Sequence, residues 1–176
     1  MKNTFEGLSE SGKVRMLIEP YIIGKCGLDV GFGGTPIIPN SITVDMEAPY
    51  TARGNYPQHL KGDARKLLWF KDNVLDYVYS SHLLEDFEDP HPIVVEWIRV
   101  IKLGGLLILN LPNEKKYREF CDKNNGNYNG AHKNMSMSLE WMKKFFQSYF
   151  PGRLSLIEGK EIENDYTFYI ILRKEK

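Results

Sequence analysis

A short apolar run, Cys26 to Val30, breaks on Gly31-Phe32-Gly33-Gly34, with an acid, Asp29, just before the break. A strand with so little polar surface has to be covered on both faces, and this one runs into a turn where backbone can approach a ligand closely. That combination points to an open α/β sheet that binds at the carboxyl ends of its strands. Ser41 to Val44 reads as a second strand ending at Asp45, and Leu60 with its neighbours as a weak third before Gly62 and Asp63. Val74 to Tyr79, rich in β-branched and aromatic residues, is a stronger strand. Leu106 to Leu111 is nearly all apolar and buried on both faces, and Met46 to Pro57 is loop.

Helical spacing separates these strands. Val14, Leu17, Ile18 and Tyr21 mark a helix over Ser11 to Tyr21, within an N-terminal segment 1–24, that Pro20 ends or bends. Asp89 before Pro90 is a helix start, after which Ile93, Val94, Trp97, Ile98 and Ile101 share one face until Gly104-Gly105 stops the helix. Glu114 to Asp122 is a further helix, and Ser138 caps another that reaches about Tyr149. Arg153 to Glu158 and Tyr166 to Arg173 form a terminal antiparallel hairpin. The asparagine- and glycine-rich stretch 123–137 has no period, and so long a loop in a compact domain points to function, here on the acceptor side of a site.

Length and charge narrow the classes. A chain of 176 residues, 42% hydrophobic, is the size of one domain with a real core. Its 23 basic residues balance 23 acidic ones, so it lacks the dense positive field of a general nucleic-acid binder. No apolar stretch is long enough to cross a bilayer, so no membrane is expected as a partner. Cys26 and Cys121 make neither a C-x-x-C pair nor a disulfide framework, which makes a reducing cytoplasm the expected location.

The glycine turn suits one ligand class better than another. A dinucleotide wants backbone N–H groups at a helix N-terminus for its pyrophosphate. Here Pro36, which has no N–H, takes the third glycine position, and only Gly31 to Asn40 separates the two strands. A ligand without phosphates tolerates both. S-adenosylmethionine is such a ligand, needing acceptors for its ammonium, a carboxylate for its ribose diol and a reader for its adenine edge. Asp29 with the Gly31 turn, then Asp45, then Asp63 with Ala64 offer these in order, each at a strand's carboxyl end.

The chain resembles the class I S-adenosylmethionine-dependent methyltransferases, of the small type 11 kind, from Leu17 onward. The matching pieces are Leu28-Asp29-Val30-Gly31-Phe32-Gly33, Thr43-Val44-Asp45, Gly62-Asp63-Ala64-Arg65-Lys66-Leu67, the run from Leu75 to Glu85, and the run from Trp97 to Gly105. This resemblance implies a Rossmann-like, mostly parallel sheet of seven strands with helices on both faces and the last strand antiparallel. It implies S-adenosylmethionine as cofactor, with Asp45 at the ribose, Asp63 and Ala64 at the adenine and the Ser80 backbone at the methionine end; Gly31, Gly33 and Met46 are further cofactor-binding candidates, as is Asp29, whose other reading is to fasten the glycine turn by hydrogen bonds. Phe32 in place of a small residue, Asp86 in place of a histidine, and a shortened or missing first crossover helix are the departures. The spacing from the glycines to Asp45 is similar to a subgroup associated with sugar and cell-envelope polymer modification.

Two histidines are the catalytic candidates. His82 stands beside the expected methyl-transfer position, with a hydrogen-bonded structural role as its other reading. His132, inside Asn129-Gly130-Ala131-His132-Lys133-Asn134, is a base or acceptor-binding candidate on a lid, the alternative being simple exposure. Tyr128 and Trp141 are candidates for the acceptor pocket. His82, Glu85, Asp86, Asp89 and His91 can also be read as metal ligands, but an exposed acidic helix entry explains them, so no metal is expected. Asn110-Leu111-Pro112-Asn113 resembles the motif of amino-directed DNA methyltransferases but follows the wrong strand. The expected acceptor is therefore a small molecule or a saccharide, not nucleic acid. A non-catalytic S-adenosylmethionine-binding protein on the same fold is the alternative, and a nucleotide-dependent oxidoreductase a third. The methylated atom and oligomeric state are left open.

Overall fold

The computed structural model describes residues 7–46 and 57–176, so most of the loop expected at Met46 to Pro57 lies outside the described residues. Four parallel pairings and two antiparallel ones make a seven-stranded sheet in the order β3-β2-β1-β4-β5-β7-β6. The strands are β1 Gly27–Val30, β2 Ile42–Asp45, β3 Leu60–Lys61, β4 Leu75–Ser81, β5 Ile101–Pro112, β6 Leu154–Glu161 and β7 Thr167–Lys174. Only β7 runs against the rest, because it pairs antiparallel with both β5 and β6. The expected Rossmann-like architecture is therefore the observed one.

Strand alternation sorts the core into two layers. Val78, Leu107, Leu109, Ile170 and Leu172 turn to one face, under α2 (His91–Val100) and α4 (Leu139–Tyr149). Tyr77, Tyr79, Ile108 and Ile171 turn to the other, where α1 (Glu10–Ile22) lays down Val14, Ile18 and Ile22 at four-residue spacing. The fourth helix, α3 (Glu114–Lys123), buries few side chains and leads into the loop over the cleft. No helix among the described residues is long and apolar enough to cross a membrane.

Three boundaries differ from the sequence reading, each for a local reason. Pro20 neither ends nor visibly breaks α1; the helix continues past it to Ile22, with the Ile23 N–H closing on the Glu19 carbonyl. Ile101 is not on a helical face but is the first residue of β5, paired with Leu75, so α2 ends ahead of the two glycines. Gly105 then serves the sheet: a Cβ there would meet the Asp76 carbonyl at 2.8 Å. The exposed carbonyls at the end of α2 are met by an unforeseen group. The buried Lys174 ammonium donates to the Ile98 and Ile101 carbonyls and to Asn73 Oδ1, at 2.7–2.8 Å.

Between β1 and β2 no helix forms. The segment 31–41 is turns throughout, and Gly31, Gly33 and Gly34 all have positive φ. It is held from beneath, where Arg15 of α1 donates to the Pro36 and Ile37 carbonyls.

Candidate active site

At the carboxyl ends of β1, β2, β3 and β4 the chain leaves a cleft of 1510 Å³, more than one ligand of ordinary size fills. Its near wall is the glycine turn. Gly31 adopts φ +70° and donates to the Val44 carbonyl at 2.8 Å; a Cβ on it would stand 2.7 Å from Leu83 Cδ2. Gly33 donates to Asp45 Oδ2 at 3.0 Å. Asp45 Oδ1 accepts from the Met46 N–H at 2.7 Å, so the carboxylate is fixed by backbone on both oxygens and keeps lone pairs for hydroxyl donors. Met46 is exposed at the rim.

The opposite end of this wall is Gly62-Asp63-Ala64-Arg65. Arg65 grips both Asp63 oxygens, at 2.6–2.9 Å, and this pairing holds the carboxyl below its usual range. The Ala64 carbonyl is tied to α2 by Trp97 Nε1 at 2.8 Å, and Glu96 accepts from the Leu67 N–H at 2.7 Å. Gly31, Gly33, Asp45, Met46, Asp63 and Ala64 all line the cleft, as the sequence places them.

Two proposed cofactor residues sit elsewhere. Asp29 is wholly buried and faces the other layer, where its Oδ2 accepts from the Ile37 N–H at 2.6 Å. It fastens the 31–41 segment rather than entering the cleft. Ser80 is also wholly buried, its Oγ donating to the Val30 carbonyl at 2.9 Å, and β4 runs two residues further than expected, to Ser81. Ser81, the next residue, lines the cleft in its place.

Burial, offset only in part by the Ile37 N–H and the Arg15 charge, pushes the Asp29 carboxyl from 3.8 up to about 8. Folding therefore takes up a proton that the unfolded chain releases above its ordinary pKa. The sign follows: this contribution to stability is full at low pH and is lost as pH rises through about 8. Urea unfolding followed from about pH 5 to 9 should show stability declining toward alkali, at no more than roughly 1.4 kcal/mol per pH unit. Asp29→Asn should flatten that decline; an unaltered slope would assign it to another group.

The far wall holds the histidines. His82 sits at φ +49°, its N–H donating to the Asn110 carbonyl, and lines the cleft. Its Nε2 lies 3.4 Å from Glu10 Oε2 and its Nδ1 3.5 Å from Glu85 Oε1. Burial is the largest influence on this ring and lowers its pKa. Glu10 is fixed in turn by Lys13 at 2.9 Å and by the Tyr166 hydroxyl at 3.1 Å. No local signal in the sequence announces Glu10; the path of α1 brings it there.

His132 departs from the expected lid position. Its neighbours Asn129, Gly130, Ala131 and Lys133 line the cleft, but the imidazole is buried behind them, with Nδ1 hydrogen-bonded to Glu114 Oε1. The loop is pinned there by the Lys133 and Asn134 N–H groups, both donating to the Glu85 carbonyl. Glu85 is not part of an exposed acidic entry either, being wholly buried. Asp89 and His91 lie apart from it: Asp89 Oδ1 accepts from the His91 N–H at the start of α2, and His91 packs on Tyr149 and Phe150. Tyr128 is an outer-surface residue bonded to Asp122, and Trp141 stacks on Phe145 against the core. Asn110 donates to Ser81 Oγ and Asn113 caps α3, so both asparagines of that short motif have structural partners.

Residues 28–109 match a family model described as a methyltransferase domain. Among solved structures, a methyltransferase dependent on S-adenosylmethionine (SAM) from Thermotoga maritima superposes with a TM-score of 0.67 at 19% identity, over 94% of this chain and 89% of that one. A SAM-dependent methyltransferase from Archaeoglobus fulgidus gives 0.64 at 20% identity, over 95% of each chain. One from Aquifex aeolicus gives 0.62 at 13% identity, over 91% of each. No curated protein matches the sequence.

Proposed function

We propose that the chain is a class I S-adenosylmethionine-dependent methyltransferase, a reading supported by the methyltransferase-domain match over residues 28–109, and that it methylates a small molecule or a saccharide admitted under the loop 124–138. The observation that carries this reading is the length of the cleft, which runs past the cofactor residues to His82, Asp86 and Lys133 and so has room for a second ligand.

The residues present fit S-adenosylmethionine and not a pyrophosphate. Among the described residues of the 31–41 segment there is no helix N-terminus to receive phosphate, and Pro36 offers no N–H. The Gly31 cradle would be filled by any Cβ. Asp45 would take the ribose hydroxyls, Asp63 and the Ala64 backbone the adenine edge, and the Gly31 turn with Ser81 the methionine end. When bound, the cofactor supplies an electrophilic methyl on a sulfonium.

What the chain supplies is placement and a proton acceptor. Positioning of two bound reactants can provide roughly 7–11 kcal/mol of the barrier reduction. The base is His82: its Nε2 is buried at the cleft, accepts no hydrogen bond, and has Glu10 beside it to stabilise the imidazolium that forms. Its positive φ holds the ring there at a backbone cost of about 1–3 kcal/mol, a strain typical of functional positions.

A panel of hydroxylated and amino small molecules and of sugars, screened with labelled methyl donor, tests this. His82→Gln should lower kcat about 10²–10⁴-fold on the accepted substrate, with S-adenosylmethionine affinity retained. Binding of the cofactor without turnover on any acceptor would favour the non-catalytic alternative. Methylation of nucleic acid instead would overturn the acceptor class.

A further inference from the structure

Behind the acceptor end of the cleft lies a cluster that methyl transfer, as derived above, leaves unused. Glu85 and Asp86, in the 3-10 turn Leu84–Asp86, meet His132 of the loop 124–138. One ligand atom from each lies within 4.8 Å of the other two. Sequence spacing hid this group, because His132 is far along the chain from the acids it joins.

Three features distinguish it from an ordinary acidic patch. Glu85 is wholly buried, and no hydrogen bond from another residue reaches either of its oxygens; Asp86 Oδ1 is likewise buried without a hydrogen-bond partner. Among the described residues no lysine or arginine pairs with Glu85, and the nearest nitrogens belong to His82 and His132. An uncompensated carboxylate in such a place costs several kcal/mol, so it must gain a proton or a cation.

The orientation of His132 favours the cation. Its Nδ1 is engaged by Glu114, which leaves Nε2 directed at the cluster, 3.7 Å from Glu85 Oε1. That separation is too long for a hydrogen bond. It is the spacing of two ligands on one ion, which stand roughly 3–4 Å apart when each bond is about 2.1 Å. A carboxylate holding the far nitrogen of a ligating histidine is also the usual outer support of a metal site.

We propose that Glu85, Asp86 and His132 bind a divalent first-row cation, with Glu114 as the positioning residue for His132. Two carboxylates and one imidazole make a hard, mixed O/N donor set, for which Mn²⁺ is the fitting probe. Asp86 reaches the cleft wall, so the ion would present an open position to the acceptor and lower the pKa of an oxygen bound there. That last role rests on the methyl-transfer reading; the site itself does not.

The full chain, stripped with chelator, should bind one Mn²⁺ by calorimetry and by loss of the free-ion EPR signal. Glu85→Gln and His132→Gln should each weaken that binding at least about 100-fold, and Glu114→Gln about 10–100-fold. Thermal stabilisation by Mn²⁺ should vanish in Glu85→Gln. Should that variant fail to fold, Asp86→Asn, at the cleft wall, replaces it. No binding at millimolar Mn²⁺ or Zn²⁺, or binding equal in all variants, overturns the proposal. S-adenosylmethionine titrated into the same chelated protein separates the two readings, since its binding needs none of these residues.

Discussion

Asp45→Ala weakens S-adenosylmethionine binding about 10²–10³-fold, measured by calorimetry against the unaltered chain. On the proposed reading, two charge-assisted hydrogen bonds to the ribose are lost, at roughly 1.5–2 kcal/mol each. The same change releases the Gly33 N–H, which Asp45 Oδ2 holds at 3.0 Å, so the turn that faces the methionine end loosens as well. Asp45→Asn is the informative partner variant. It keeps one acceptor for Gly33 and loses the charge, so it should recover part of the affinity. Unchanged affinity in Asp45→Ala would put the ribose elsewhere in the cleft.

Gly27→Ala is the substitution expected to cost most in stability. In the β1–β4 pairing Gly27 lies opposite Tyr77, whose ring covers it; an added Cβ would stand 2.3–2.4 Å from three ring carbons. The ring has nowhere to go, since Tyr77 is wholly buried and its hydroxyl is 2.9 Å from Ser41 Oγ. Overpacking of this kind costs about 3 kcal/mol or more, equivalent to a fall in Tm of roughly 6–12 °C at this size. Gly104→Ala is the control, because Gly104 has φ +75° but nothing within 4 Å of a Cβ. It should lose only the roughly 1–2 kcal/mol of a left-handed residue. Equal losses in the two would show that the Tyr77 ring gives way to the added methyl, and that the close approach at Gly27 costs no more than a left-handed residue.

What the sequence disclosed was local. β1, β2 and β3 each end at a glycine or an acid, so Gly31, Asp45 and Asp63 identify the cleft edge of the sheet before any strand is paired. Ser138 caps its helix with its own side chain, a signal that needs no tertiary context, whereas the matching cap by Asn113 emerges only in the structure. Legibility failed where a partner comes from far along the chain. Asp29 reads as a ligand group because it adjoins the glycines, yet strand alternation turns it to the opposite face, toward Ile37. His132 reads as exposed because its neighbours are polar, yet Glu114 draws it inward. Ile101 continues the spacing of α2 and is claimed by the sheet through Leu75. The serine that lines the cleft is Ser81 and not Ser80, since register, not composition, decides where a strand ends.

The sheet's two flanks are secured in different ways. Toward β5 and β7 the ladder is long, from Leu106–Arg173 to Pro112–Thr167 without a break. Toward β3 it dwindles to two residues, and the adenine side depends on one helix for its mooring: Trp97 to the Ala64 carbonyl, Glu96 to the Leu67 amide, Arg99 to the Phe70 carbonyl. A border tethered by a few side chains yields at a lower free energy than one knitted by backbone. Amide hydrogen exchange should therefore open the β3 edge well before the β5–β7 ladder.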